Sequence, residues 1–164
     1  MGGGILPIAI HKGKLYFLFG KEVSNGQWGD FGGGREGTES QFQTAIREGC
    51  EELDGFLGCS SVLRKKITQN LVATITTQSL QTFIFKIDYD ENLPVYFNNH
   101  HFFIKKNLPK YVNKKGLFEK SQIRWFTVAE LNDSRHRFRA FYRNVVDDIL
   151  QNKQSLLKQA MKIK

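Results

Sequence analysis

Residues 31–55 read FGGGREGTESQFQTAIREGCEELDG. Thr38, followed three residues later by Gln41, has the form of a capping box that opens a helix. Apolar or small residues then recur at Phe42, Ala45, Ile46, Gly49, Cys50 and Leu53, the spacing of one helical face. Gly55 stands where such a helix would stop. The pattern predicts a helix over residues 38–53. On its other face, at about 100° per residue, Glu48, Glu51 and Glu52 fall within roughly 100° of arc. Carboxylates packed this closely repel one another and destabilise an isolated helix. Arg47 reaches Glu51 at i+4, but one guanidinium does not neutralise three carboxylates. A hard divalent cation would, because Mg²⁺ is held by carboxylates and substrate phosphates together. Gly32, Gly33 and Gly34 would let backbone groups approach the same ion and its ligand. A solvated acidic helix face is the plainer account of the three glutamates.

Upstream, the near-continuous apolar run Leu15-Tyr16-Phe17-Leu18-Phe19 has strand length and reads as covered on both faces. Ile5 to Ile10 is its expected partner, with Pro7 favouring an edge or a strand start. Trp28 to Phe31 reads as another short strand. Downstream, Asn70 to Thr77 and Thr82 to Tyr89 are rich in β-branched and aromatic residues, hence strands. Lys105 to Lys115 reads as a Lys-rich loop and Ile123 to Val128 as a last strand. A terminal helix is expected from about residue 134, with Phe138, Phe141, Tyr142, Val145 and Ile149 as its apolar stripe. Strands, an internal helix, more strands and a final helix make an α/β layered fold. No repeat or linker divides the sequence, so residues 1–164 are expected to form one domain, within roughly 100–200 residues per domain.

Composition narrows the class. With 40% apolar and 13% aromatic residues the chain can build a core, and disorder describes it poorly. Two cysteines exclude a disulfide scaffold. Cys50 reads as a core residue, and Cys59 has no partner at metal-ligand spacing. No apolar run approaches the ~20 residues that span a bilayer. Ile5 to Ile10 does not read as a signal peptide, and Leu6 stands where a myristoylation start would carry Ser or Thr. A cytoplasmic protein without membrane contact is expected. Charge is uneven: residues 1–90 carry 9 Lys/Arg against 10 Asp/Glu, net −1, and residues 91–164 carry 15 against 6, net +9. An acidic first half joined to a basic second half suggests an acid-base or metal site beside a polyanion-binding surface. A merely soluble basic face is the alternative.

Gly33, five residues, Glu39, seven residues, Arg47-Glu48, two residues, Glu51-Glu52 resembles the Nudix box in its fixed spacing. The resemblance extends over most of the chain, through Trp28 to Gly33 before the box and Trp125-Phe126 with Glu130-Leu131 after it. It departs at Asp54, where the box has Gly, and at Gly49, where it has an aliphatic residue. The resemblance implies an α/β/α sandwich with a mixed sheet and a loop-helix-loop catalytic segment. It implies that Glu48, Glu51 and Glu52, with the Gly32 carbonyl, bind Mg²⁺ or Mn²⁺, and that Gly33, Glu39 and Arg47 organise the loop and orient Glu48. Glu119 matches, more loosely, a further metal-binding or basic glutamate; the general base is a box glutamate or Glu119. The implied reaction is hydrolysis of a nucleoside diphosphate linked to a group X.

The basic half bears on X. Lys105, Lys106, Lys110, Lys114 and Lys115 surround Tyr111, and Arg135, Arg139 and Arg143 fall at i, i+4 and i+8, a single helical stripe beside the apolar one. Such a surface can track RNA phosphates. The layout resembles the mRNA-decapping Nudix enzymes of viruses and eukaryotes, which favours capped RNA as substrate. Nucleoside triphosphates, nucleotide sugars, dinucleoside polyphosphates and inositol pyrophosphates are the small-molecule alternatives. A non-catalytic RNA-binding Nudix module is a third reading, against which the intact glutamates argue. Trp28, Tyr16, Phe97 and Phe102 could each stack on a base, but core packing accounts for such residues more simply.

Overall fold

The computed structural model describes residues 1–112 and 118–163. Lys114 and Lys115 of the Lys-rich stretch lie outside the described residues. Seven strands form one mixed sheet: β1 (Gly2–His11), β2 (Lys14–Glu22), β3 (Trp28–Gly29), β4 (Phe31–Gly33), β5 (Leu71–Thr76), β6 (Leu80–Lys86) and β7 (Lys120–Thr127). Among the described residues five α-helices cover it: α1 (Gln41–Glu52), α2 (Ser60–Asn70), α3 (Leu93–Asn107), α4 (Val128–Ser134) and α5 (Arg143–Lys162).

The order β3-β2-β1-β6-β5 makes β1 a central strand, antiparallel to β2 and parallel to β6. Pro7, expected to mark an edge or a strand start, marks neither: it stands inside a central strand. Pro7 is tolerated because the partner changes beside it. Gly3–Ile5 pair with β4 and Ile8–His11 with β2, so Leu6 and Pro7 fall at the switch. The apolar run in β2 is buried on both faces, as expected. Phe17 and Phe19 join Leu6, Ile8, Phe126 and the α5 residues Val145, Val146 and Ile149. Leu18, with Ile5 and Ala9, packs under α1, α2 and α3. Alternation at period 2 therefore feeds two separate cores, one on each side of the sheet. The result is the expected α/β/α sandwich.

The helices differ from expectation, and α4 over Val128–Ser134 was not expected at all. The capping box of α1 is Ser40 with Gln43, two residues later than Thr38 with Gln41. Both pairs satisfy the pattern, but Glu39 must remain outside the helix to accept hydrogen bonds from Thr44 and Arg47. Neither α2 nor α3 was expected. In α2 only Leu63 and Ile67 are buried, a thin apolar stripe. In α3 aromatic residues occupy all sides and no side chain caps the N-terminus. Lys105 and Lys106 accordingly end a helix, and Lys110 belongs to a 3₁₀ turn at Pro109–Tyr111. The terminal segment is broken as well. The Arg139 N–H donates to the Trp28 carbonyl at 3.0 Å, which draws residues 138–139 against β3 and delays α5 until Arg143.

Cys50 and Cys59 are joined by a disulfide, with Cα atoms 4.9 Å apart, a pairing not expected from the sequence. Asp54 takes the left-handed conformation (φ 48°) that the box glycine would take, and Gly55 follows at φ 75°, so the helix end survives the departure. Gly49 proves to be a seat. A Cβ there would stand 2.4 Å from Ile5 Cδ1, so glycine lets α1 lie directly on β1. No helix among the described residues is long and apolar enough to cross a membrane. Gly49→Leu, which restores the aliphatic box residue, should lower stability by about 1–3 kcal/mol through overpacking against Ile5. Urea denaturation checks this, and a stability gain would show that α1 is not seated on Ile5.

Candidate active site

The segment 34–40 leaves β4, passes over the start of α1 and is held there by one guanidinium. Arg47 donates from Nε to Glu39 (3.0 Å), from Nη1 to Glu48 (2.9 Å) and Glu51 (3.2 Å), and from Nη2 to the Gly34 carbonyl (2.8 Å). Glu39 also accepts from the Glu36 N–H and the Thr44 hydroxyl. The Arg47 hydrogen bonds hold the Glu39 carboxyl down at about 2, so it stays ionised and the clamp stays closed. Burial raises the Glu48 carboxyl, and Arg47 opposes that rise. Gly33 fits beneath Glu48: a Cβ at this position would lie 2.5 Å from Glu48 Oε1.

Glu52 turns inward instead. Its Oε2 accepts from the Gly32 N–H at 2.7 Å, and its Oε1 lies 3.1 Å from the ammonium of Lys120. Lys120 is fully buried and also pairs with Glu22, which in turn accepts from Arg139 at 2.9 Å. Burial alone would lower Lys120, but the adjoining Glu52 and Glu22 outweigh it and hold the ammonium above its usual range. Burial pushes Glu52 upward, with Lys120 pulling the other way. Beneath them Asp30 accepts from the Thr82 hydroxyl at 2.8 Å. Lys120, Glu22 and Asp30 were not singled out from sequence. A lone Lys in a strand resembles any surface lysine, and only the pairing of β2 with β7 brings it under α1.

These groups open onto a cleft of about 620 Å³, floored by Gly32, Gly33 and Gly34. Glu22, Glu36, Glu48, Glu51, Glu52 and Glu119 line it, against the cations Arg47 and Arg139. Glu119, the loosest sequence assignment, thus stands in the wall with the box glutamates. Such an all-oxygen, acid-rich donor set fits a hard divalent cation. Among the described residues no three potential ligands are already gathered around one point, because Arg47 and Lys120 draw the carboxylates apart.

The basic residues are less united than the sequence suggested. Arg135 is tied to Asp147 on α5, and Arg143 donates to the His136 and Phe138 carbonyls. Arg139 alone of the three reaches the cleft. They sit on a 3₁₀ turn, an extended link and the start of α5, so the single helical stripe does not form. Lys105, Lys106 and Lys110 are exposed. Trp28 and Phe97 are core residues, whereas Phe102 is 65% exposed.

No family profile matches the chain by sequence, and no curated protein does. Solved structures do match. An Ap4A hydrolase from C. elegans superposes with a TM-score of 0.57 at 16% identity, over 96% of this chain and 98% of that one. A Nudix hydrolase from M. smegmatis gives 0.53 at 12% identity, over 94% and 86%. The fold is that of the Nudix hydrolases. A MutT protein from Methanosarcina mazei Go1 agrees, with a TM-score of 0.52 at 14% identity over 93% and 94%. Within this Nudix fold, the loop-helix-loop is residues 32–55, and its helix is pinned to the sheet by Lys120. Lys120→Met would strand the buried Glu52 and Glu22 carboxylates without their shared cation. We expect a loss of about 3–5 kcal/mol in chemical denaturation, and an unchanged stability would contradict the buried pairing.

Proposed function

We propose that this chain is a divalent-metal-dependent pyrophosphohydrolase that cleaves a nucleoside diphosphate linked to a group X. The observation that carries this is the cleft itself, where six carboxylates surround a floor of bare glycine backbone. Glu48, Glu51 and Glu52 would hold Mg²⁺ or Mn²⁺, with Glu119 and the Gly32 carbonyl as further donors. Both Glu52 oxygens have protein partners, but a carboxylate offers about four lone-pair sites, so donors remain. When bound, the ion neutralises phosphate oxygens and lowers the pKa of a water.

The chain's own residues do the rest. Arg47 fixes Glu48 through Oε1, and among the described residues Glu48 Oε2 accepts no hydrogen bond. We assign the general base to the box glutamate Glu48, which would take the proton of the attacking water. Arg139, which lines the same cleft and pairs with Glu22, is a cation that would attract a substrate phosphate. Glu39 and Arg47 keep the loop closed over α1.

For X we favour RNA, with capped mRNA as substrate and the cap nucleoside diphosphate as product. Exposed Lys105, Lys106 and Lys110 stand among exposed Phe102, Phe103 and Tyr111, a mixture that suits single-stranded nucleic acid through phosphate attraction and base stacking. A second reading, a small nucleotide substrate, is favoured by the internal engagement of Arg135 and Arg143, which removes two cations from any RNA track. A purely binding module has no use for the carboxylate cleft.

Glu48→Gln should reduce turnover at least ~100-fold with the fold retained, and EDTA should abolish wild-type turnover. Product analysis with cap-labelled RNA and a panel of free nucleotides checks both, and undiminished turnover by the variant would exclude Glu48 as base. Replacing Lys105, Lys106 and Lys110 by Ala should flatten the dependence of log affinity for RNA on log salt by about 2. An unchanged slope in filter binding would move the substrate assignment to the small nucleotides.

A further inference from the structure

Arg139 stands between two cavities. Beside the carboxylate cleft lies a second cavity of about 320 Å³, which shares Gly32, Gly33, Gly34 and Arg139 with it. Its character differs: Leu80, Ser79 and Phe141 close it, and among the described residues no carboxylate lines it. Phe141 is out of keeping with its neighbours. Phe138 and Tyr142 are wholly buried, yet Phe141, on the same short turn, is 42% exposed. It contributes a ring to the surface beside the cleft, not to the core, contrary to its expected place in an apolar stripe.

The Phe141 ring is not loose. The Arg139 guanidinium carbon lies 4.5 Å from its centroid, within stacking and cation–π range. Arg139 itself is anchored at both ends. Its backbone N–H donates to the Trp28 carbonyl at 3.0 Å, and its Nη1 donates to Glu22 at 2.9 Å. Its carbonyl accepts from the Tyr142 N–H at 2.8 Å, which closes the turn that presents Phe141. Gly34 contributes no side chain to the floor, and a Cβ there would meet nothing within 4 Å. A ligand crossing from one cavity to the other therefore meets an aromatic face, then a fixed guanidinium, then bare backbone, then carboxylates.

That succession matches a nucleotide: a planar base, then a phosphate chain, then a metal-binding end. We propose that Phe141 and Arg139 form a shelf on which the aromatic base of the substrate stacks, its phosphate chain running over Gly32–Gly34 into the cleft. Phe141 is then a specificity-determining residue, and the substrate class is a base-bearing nucleotide, free or capping an RNA. An inositol pyrophosphate has phosphates for the cleft but no planar face for the ring. The phosphate end of this assignment rests on the pyrophosphohydrolase reading of the cleft.

The test is calorimetric binding of ADP, GDP and inorganic pyrophosphate, each with Mg²⁺, to wild type, Phe141→Ala and Phe141→Trp. Phe141→Ala should weaken ADP and GDP at least about fivefold and leave pyrophosphate within about twofold, since base–aromatic stacking is lost and phosphate contacts are not. Phe141→Trp should restore nucleotide binding. A thermal melt checks folding, with Phe141→Leu as the substitute should the alanine variant fail to fold. Unchanged nucleotide affinity, or an equal loss for pyrophosphate, would overturn the shelf. A wild type that binds pyrophosphate but neither nucleotide would overturn the shelf and leave the phosphate cleft standing. A wild type that binds none of the three would overturn the pyrophosphohydrolase reading and the shelf with it.

Discussion

An ammonium group buried between two carboxylates holds this molecule's working parts together. Lys120 comes from β7, Glu22 from β2 and Glu52 from the last turn of α1, and the three meet at the base of the cleft, with Lys120 fully buried. Charges in such a place must be paired or they destabilise the fold. The pairing therefore ties the helix that carries the glutamates to the strands beneath it. It also answers the repulsion along α1. Arg47 takes up Glu48 and Glu51, Lys120 takes up Glu52, and the helix is stable enough to present its acids to a cleft.

Around that tie the scaffold is arranged for close approach. The central strand β1 changes partners at Leu6 and Pro7, so β4 can join the sheet and deliver Gly32–Gly34 to the edge of the cleft. Gly49 lets α1 settle on Ile5, and Gly33 leaves room for the Glu48 carboxylate. The two apolar cores lie on opposite sides of the sheet, one under α1, α2 and α3 and the other under α4 and α5. The segment between α4 and α5 breaks to pair with Trp28, and that break carries Arg139 to the cleft and Phe141 to the cavity beside it. Chemistry thus sits where backbone, not bulky side chain, forms the floor.

Much of this was legible because the signals are local or strictly periodic. The run around Phe17 alternates between two buried faces, and a period of 2 in a strand and of 3.6 in a helix are properties of the backbone. The spacing of Gly33, Glu39, Arg47, Glu48, Glu51 and Glu52 marks one loop and one helix, so it survives translation into space. Even Asp54 kept the left-handed turn, since Asp is among the few residues that tolerate it. By contrast, α2 and α3 were hidden because their stability comes from a few contacts with the sheet and not from their own patterns.

What the sequence determined by itself was the sandwich of strands and helices and the row of acids on α1, because both follow from short-range backbone geometry. Tertiary structure alone decided which cation meets which acid. Lys120 and Glu22 are 98 residues apart and become neighbours only when β7 is laid beside β2. Arg135, Arg139 and Arg143 have helical spacing in the chain, yet the docking of residues 138–139 against Trp28 interrupts the helix and the three go to different tasks. Long-range pairing outweighs local propensity wherever burial makes an unpaired polar group costly, and that is why the site's charge balance could be read only from the folded chain.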